Sequence, residues 1–67
     1  MESLAELSRQ RRKALRLTQA ELAELAGVSE RFVRLVEAGK PTIRLDKLQP
    51  LLEVLGLRLR VELRGGA

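Results

Sequence analysis

The chain has 67 residues with a formal net charge of +4, and it contains neither Cys nor His. We expect one small domain, 1–67, whose modest core gains nothing from disulfides or from the commonest metal ligands. No apolar run approaches the roughly 18 residues of a membrane span, and the N-terminus has no apolar signal core, so we expect a cytoplasmic protein without membrane contact, metal or cofactor.

The basic charge favours a polyanionic partner, although many small domains carry such a charge without binding nucleic acid. Phe32 is the single aromatic residue. Modules that bind single-stranded nucleic acid stack its bases on aromatic side chains. Groove reading of duplex DNA relies instead on Arg, Lys, Gln and backbone amides. Composition therefore leaves duplex DNA as the candidate nucleic-acid ligand.

A first helix is predicted over about residues 3–15. Its helical wheel has an apolar side formed by Leu4, Leu7, Ala14 and Leu15. Four basic residues fall together on another side: Arg9, Arg12, Lys13 and Arg16. Such a basic stripe fits either an ordinary solvated face or a surface that faces phosphates.

A capping box marks the start of a second helix, over about residues 19–26. Thr18 and Glu21 have the spacing at which each side chain bonds the other residue's backbone amide. Gly27 follows the helix, at a place where a positive φ costs glycine nothing. The side chains predicted to face the core are Leu22, Leu25 and Ala26.

A third helix, over about residues 30–38, begins almost at once. Ser29 is its N-cap candidate, Val28 can fill the corner before it, and Gly39 ends it. The core-facing side chains are Phe32, Val33 and Val36. Two short helices joined by a tight Gly-containing turn form a helix-turn-helix. The same hairpin is also common in helical bundles that bind no DNA.

A fourth helix is predicted over about residues 45–55, and Gly56 ends it. Its apolar face consists of Leu45, Leu48, Leu51, Leu52 and Leu55. Pro50 lies inside it, removes one amide and crowds the carbonyl of Asp46, so we expect a kink or a tight first turn.

The last segment, about residues 57–64, alternates strictly between apolar and polar side chains and predicts a half-buried strand. Its apolar face is Leu57, Leu59, Val61 and Leu63. A lone strand cannot satisfy its own backbone, so we expect it to pair across a two-fold axis with a second copy of the chain. Centring an antiparallel pair on Val61 places Arg60 opposite Glu62, which is favourable, but Arg58 opposite Arg64.

In a DNA-binding helix-turn-helix, the second helix enters the major groove and its N-terminal residues meet base edges. Here the outward residues are Glu30, Arg31 and Arg34. Arg can bond guanine O6 and N7 together, and Glu can accept from cytosine N4. Gln19, at the start of the second helix, and Lys40, after the third, suit phosphate contacts.

The stretch LTQAELAELAGVSERFVRLVEAGK, residues 17–40, resembles the Cro/C1 or Xre-type helix-turn-helix family. The stretch GKPTIRLDKLQPLLEVLGLRLRVEL, residues 39–63, is similar to the HipB-like antitoxin subgroup. Together they imply a mainly α fold, in which a four-helix head is followed by one C-terminal β-strand that pairs across a homodimer. The resemblance covers about residues 9–63.

The resemblance also implies roles for individual residues. Gln19 matches the family's phosphate-contacting glutamine, and Arg12 with Glu37 matches an internal salt bridge. The exposed first turns of the recognition helix correspond to Ser29, Glu30, Arg31 and Arg34, with Ser29 placed against phosphate.

The chain departs from the family pattern at three positions. Arg16 stands where relatives often have Gly, so the first helix ends differently or Arg16 adds a phosphate contact. Leu35 replaces a polar base reader, and it either touches a thymine methyl or packs inward. Ala38 stands where Asn is frequent.

These observations predict a sequence-specific repressor that binds double-stranded DNA at a palindromic operator and associates with the nucleoid. The HipB-like resemblance implies that it is the antitoxin of a toxin-antitoxin pair, with a HipA-like kinase toxin as partner and autoregulation of its operon. An enzyme is not expected, because no nucleophile has a base partner and no phosphate loop is present. The alternative is a protein-protein interaction module on the same scaffold without specific DNA readout.

Overall fold

Four helices form the described part of the chain, residues 3–60 of a computed structural model. They are α1 (Leu4–Ala14), α2 (Gln19–Ala26), α3 (Glu30–Glu37) and α4 (Leu45–Leu55). The prediction of a mainly α fold with four helices and a helix-turn-helix is confirmed. No helix within residues 3–60 is long and apolar enough to cross a membrane.

The predicted strand is not seen in the described part of the chain. Residues 57–60, its first half, are not in a strand, and residues 61–64 lie outside the described residues. Leu57 packs against the core while Leu59 stays 43% exposed. Strand formation and pairing with a second copy therefore stay predictions.

Side-chain caps mark the starts of α2 and α3, the two helices of the helix-turn-helix. The Thr18 hydroxyl accepts from the Glu21 amide at 3.0 Å, and the Glu21 carboxylate accepts from the Thr18 amide at 2.8 Å. The Ser29 hydroxyl accepts from the Phe32 amide at 3.0 Å. These bonds satisfy amides that have no partner within their own helix, and they set where α2 and α3 begin.

All four helices end in the same way, in a Schellman motif with a residue of positive φ just after the last helical turn. Three of these residues are glycines, and the fourth is Arg16, with φ 58°. At the end of α1, the Leu17 amide donates to the Arg12 carbonyl at 3.1 Å. Helix α1 therefore ends with the same backbone geometry as the three helices that are followed by a glycine, although Arg16 carries a side chain.

Arg16→Gly is expected to stabilise the domain by about 0.5–1 kcal/mol. A side chain in the left-handed region costs roughly 1–2 kcal/mol, and the greater freedom of glycine in the unfolded chain returns part of that gain. Urea denaturation of the variant measures the change. Arg16→Ala is the matched control, because it removes the charge but keeps the Cβ and should show no such gain. Equal stability of the two variants would contradict strain at Arg16.

The core lies between α2, α3 and α4. Its buried apolar residues are Leu22, Ala23, Phe32, Val33, Val36, Leu48, Leu51, Leu52 and Leu55. Helix α1 packs across α3 and α4, and its buried residue is Ser8, with Leu4 half-buried against the core. Because α1 contributes so little apolar surface, polar contacts must hold much of it in place.

Four residues of the predicted apolar helix faces lie at the surface: Ala14, Leu15, Leu25 and Leu45. Leu25 is 63% exposed because α2 packs through the arc of Leu22, Ala23 and Ala26, and Leu25 falls beside that arc. Leu15 and Leu45 stand at helix ends, 42% and 63% exposed. Helical periodicity identifies a face, but it does not tell how far a neighbouring helix extends along it.

Candidate nucleic-acid interface

Helix α3 is held to the core by one side only. Phe32, Val33 and Val36 are buried, and Val28 packs against the core from the corner before the helix. The turn between α2 and α3 has only three residues, and the two helices pack against each other. The opposite face of α3 is thereby presented to solvent as a rigid surface.

The predicted base readers lie on this outer face. Arg31 is exposed, and within residues 3–60 it forms no ion pair or side-chain hydrogen bond. Arg34 Nη2 donates to Glu30 Oε2 one helical turn away, so these two side chains form an ion pair. The sequence left open whether Leu35 touches a thymine methyl or packs inward. In the structure Leu35 is half-buried.

The predicted phosphate contacts differ in how available they are. Arg16, Ser29 and Lys40 are exposed. The Ser29 oxygen accepts from Phe32, which leaves its hydroxyl hydrogen able to donate elsewhere. Gln19 is half-buried, and its Nε2 donates to Glu37 Oε1 at 3.2 Å. A contact of Gln19 with phosphate would therefore use its second amide hydrogen or its backbone.

A buried carboxylate lies behind this surface. The Glu37 side chain is only 5% exposed. Arg12 donates two hydrogen bonds to its carboxylate, from Nε at 2.7 Å and from Nη2 at 3.1 Å. Arg12 Nη1 also donates to the Leu17 carbonyl at 2.9 Å. With the Gln19 bond, this Glu37 cluster (Arg12, Gln19 and Glu37) joins α1, α2 and the end of α3. Arg12 and Glu37 are the pair that the family resemblance implied.

The basic stripe of α1 is divided by this arrangement. Arg9 Nη1 donates to the Glu37 carbonyl at 3.0 Å, and Arg12 is committed to the Glu37 cluster, so both act within the domain. Lys13 and Arg16 are exposed. Arg11, which the sequence did not single out, donates through Nε to the Leu55 carbonyl at 2.8 Å. The scarcity of large apolar side chains in α1 was the one sequence signal for such polar anchoring.

The electrostatics of the cluster favour its charged form. Burial by itself would raise the pKa of Glu37, but the hydrogen bonds from Arg12 and Gln19 and the positive charges of Arg12 and Arg9 outweigh it and lower that pKa. The hydrogen bond to Glu37 correspondingly raises the pKa of Arg12. The Glu37 carboxylate and the Arg12 guanidinium are therefore both ionised at neutral pH, and they form a largely buried ion pair.

Acidification is expected to destabilise the domain through Glu37. A carboxyl whose pKa is lowered by folding stabilises the native state above its unfolded pKa, about 4.3, and that contribution is lost as pH falls through the lower folded value. Denaturant unfolding measured between neutral pH and about pH 2 should show this loss, and Glu37→Gln should flatten it. Asp46→Asn is the comparison, because Arg44 lowers the pKa of Asp46 at an exposed site. An acid slope unaffected by Glu37→Gln would contradict the assignment.

Comparison with known proteins adds two findings. The HTH_3 family model, described as helix-turn-helix, matches residues 9–61. The uncharacterized HTH-type transcriptional regulator y4mF of Sinorhizobium fredii (strain NBRC 101917 / NGR234) is 44% identical over 50 residues. Those residues are 75% of this chain and 66% of that relative, slightly less than two thirds of its length. The residues matched by the family model include both α2 and α3, the two helices of the helix-turn-helix.

Proposed function

The chain belongs to the HTH_3 helix-turn-helix family, and from this premise we propose that it is a sequence-specific transcriptional repressor that binds double-stranded DNA as a homodimer. One observation carries the proposal. The apolar side of α3 is sealed against the core, while Glu30, Arg31 and Arg34 project together from its first turns. This is the arrangement by which a recognition helix reaches base edges in the major groove.

In this proposal the surface divides into two kinds of contact. Glu30, Arg31 and Arg34 read bases, because their donors and acceptors match the major-groove edges of G·C pairs. The groups that position the protein on the backbone are Gln19, Ser29, Lys40 and Arg16. The Glu37 cluster touches no DNA and fixes the angle between α2 and α3, so that both sets of contacts are made at once.

The homodimer is proposed from the C-terminal segment. Beside α4, residues Gln49, Leu52, Leu57 and Leu59 line a shallow groove, and Leu59 is left substantially exposed. The alternation continues through Val61 and Leu63 in the sequence. Pairing of this strand with a second copy would cover the exposed leucine and complete the backbone hydrogen bonds. A two-fold dimer in turn requires a palindromic operator.

Val61→Pro is expected to shift the dimer toward monomer, because proline removes a backbone donor from the strand ladder. Sedimentation equilibrium across a range of protein concentrations measures the change. Val61→Thr keeps the amide and the branched Cβ, so it serves as the control and should stay dimeric. An unchanged mass for Val61→Pro would overturn the paired-strand model and leave the helix-turn-helix assignment standing.

The finer part of the proposal is an antitoxin role. The similarity of residues 39–63 to HipB-like antitoxins supports it, and a HipA-like serine/threonine kinase toxin is the proposed partner in a complex that represses its own operon. The site of action is the nucleoid in the cytoplasm. Addition of the purified chain to such a kinase should suppress phosphate transfer. Full kinase activity in the presence of excess chain would contradict the antitoxin role without touching DNA binding.

Salt dependence tests DNA binding itself. A protein that neutralises several phosphates releases their counterions, so log K should fall by about 0.9 per phosphate contact for each log unit of salt. Titration of a labelled duplex at several salt concentrations gives that slope. A protein-protein interaction module with no DNA readout would show negligible binding at near-physiological salt, and that result would replace the repressor by the module.

A further inference from the structure

The ion pair on the recognition helix has no evident structural purpose. Arg34 Nη2 bonds Glu30 Oε2, while the two side chains remain 59% and 40% exposed. Glu preceding Arg by four residues is the favourable order on a helix, yet such exposed pairs contribute little to stability. Both residues lie among those proposed to meet base edges. The pairing therefore bears on how α3 reads DNA.

A lone glutamate is a poor reader beside phosphates. Its negative charge faces the charged backbone of the duplex, and the guanine edge in the groove offers only acceptors. Bonded to Arg34, the Glu30 carboxylate carries its own counter-charge into the groove. The Arg34 guanidinium has five N–H groups, and the bond to Glu30 uses one of them. Enough donors remain for a bidentate contact with guanine.

The order of groups in the pair matches one base pair. In the major groove, a G·C pair presents guanine N7 and O6 as acceptors, followed by the cytosine N4 donor. The Arg34–Glu30 pair presents donors followed by an acceptor. An A·T pair places the adenine N6 donor against the guanidinium and the thymine O4 acceptor against the carboxylate. Arg34 would then keep only a contact with N7, and Glu30 would lose its donor.

Resting on the proposed DNA-binding function, we propose that Arg34 and Glu30 read a single G·C pair as one unit. Arg34 donates to guanine N7 and O6, and Glu30 accepts from cytosine N4 while it keeps its bond to Arg34. Arg31, which has no partner among residues 3–60, reads a different base pair.

The test is a comparison of selected binding sites. The wild-type chain, Glu30→Ala, Arg34→Ala and the double variant each select sites from a random duplex library. Both single variants should lose base preference at the same base pair of each half-site, Arg34→Ala by roughly 10- to 100-fold. The double variant should lose no more base preference than Arg34→Ala does, because the effects of two side chains that act in one joint contact are not additive. Arg31→Ala is the matched control and should change another position.

Three outcomes would overturn the joint reading. Glu30→Ala and Arg34→Ala could alter different base pairs, their losses could multiply in the double variant, or neither could change the selected site. In each case the wild-type chain still selects a site, so the DNA-binding function stands. Selection of no site by the wild-type chain would instead remove the proposed function, and the joint reading with it. Circular dichroism of each variant separates loss of readout from loss of folding.

Discussion

Glu37→Ala is expected to lower the free energy of unfolding by about 3–5 kcal/mol. The substitution leaves the Arg12 guanidinium, whose side chain is 13% exposed, without its counter-charge. It also removes the acceptor of the Gln19 amide. Native domains are stable by only about 5–15 kcal/mol, and one of this size lies at the lower end. Urea denaturation followed by circular dichroism should therefore find a variant that retains little stability and unfolds at a much lower urea concentration than the wild-type chain.

The physical reason is the imbalance between making and breaking a buried ion pair. The intact pair adds little net stability, because the Coulomb attraction roughly offsets the cost of desolvation. Removing one partner keeps the desolvation cost and loses the attraction. The double variant Arg12→Leu with Glu37→Leu should therefore be more stable than Glu37→Ala alone. Glu53→Ala, at an exposed position of α4, is the control and should change stability by no more than about 0.5 kcal/mol. If Glu37→Ala lowered the free energy of unfolding by less than about 1 kcal/mol, the buried ion pair between Arg12 and Glu37 would be contradicted.

Arg31→Ala is expected to cost about 1–3 kcal/mol of binding free energy on the selected operator, and to relax base preference at one position. Binding to unrelated duplexes should change little, because phosphate contacts supply that affinity. Arg31 is exposed and packs against nothing in the core, so the variant should fold normally. Titration of operator and non-operator duplexes at the same salt concentration gives the two affinities.

Lys40→Ala provides the contrast for that measurement. As a phosphate contact, Lys40 should contribute alike to every sequence, and its loss should reduce the salt slope by about one unit. Base preference should stay unchanged. If Arg31→Ala weakened every duplex equally, Arg31 would be a phosphate contact too, and base readout would depend on Arg34 and Glu30.

Local signals explain why so much of the fold could be predicted. The capping box at Thr18 and Glu21, the N-cap at Ser29 and the glycines after the helices each act within a few residues. Such signals can be read without knowledge of the packing. Arg16 shows their limit, since it adopts the conformation of a terminal glycine without being one.

Longer-range features could not be deduced in the same way. The exposure of Leu25 depends on which arc of α2 meets α3 and α4, and no local pattern encodes that choice. The role of Gln19 depends on Glu37, eighteen residues away, whose carboxylate it shares with Arg12. The bond between Glu30 and Arg34 is local, but charge spacing alone does not tell whether two side chains act singly or together.

Selection of binding sites from a random duplex library, at near-physiological salt, tests the central claim most directly. The account predicts enrichment of a two-fold symmetric site, with half-sites about one helical turn, or a multiple of it, apart. That result would establish a dimer whose two recognition helices enter successive major grooves. Failure to enrich any site, with the protein folded, would contradict sequence-specific DNA binding and favour the interaction module.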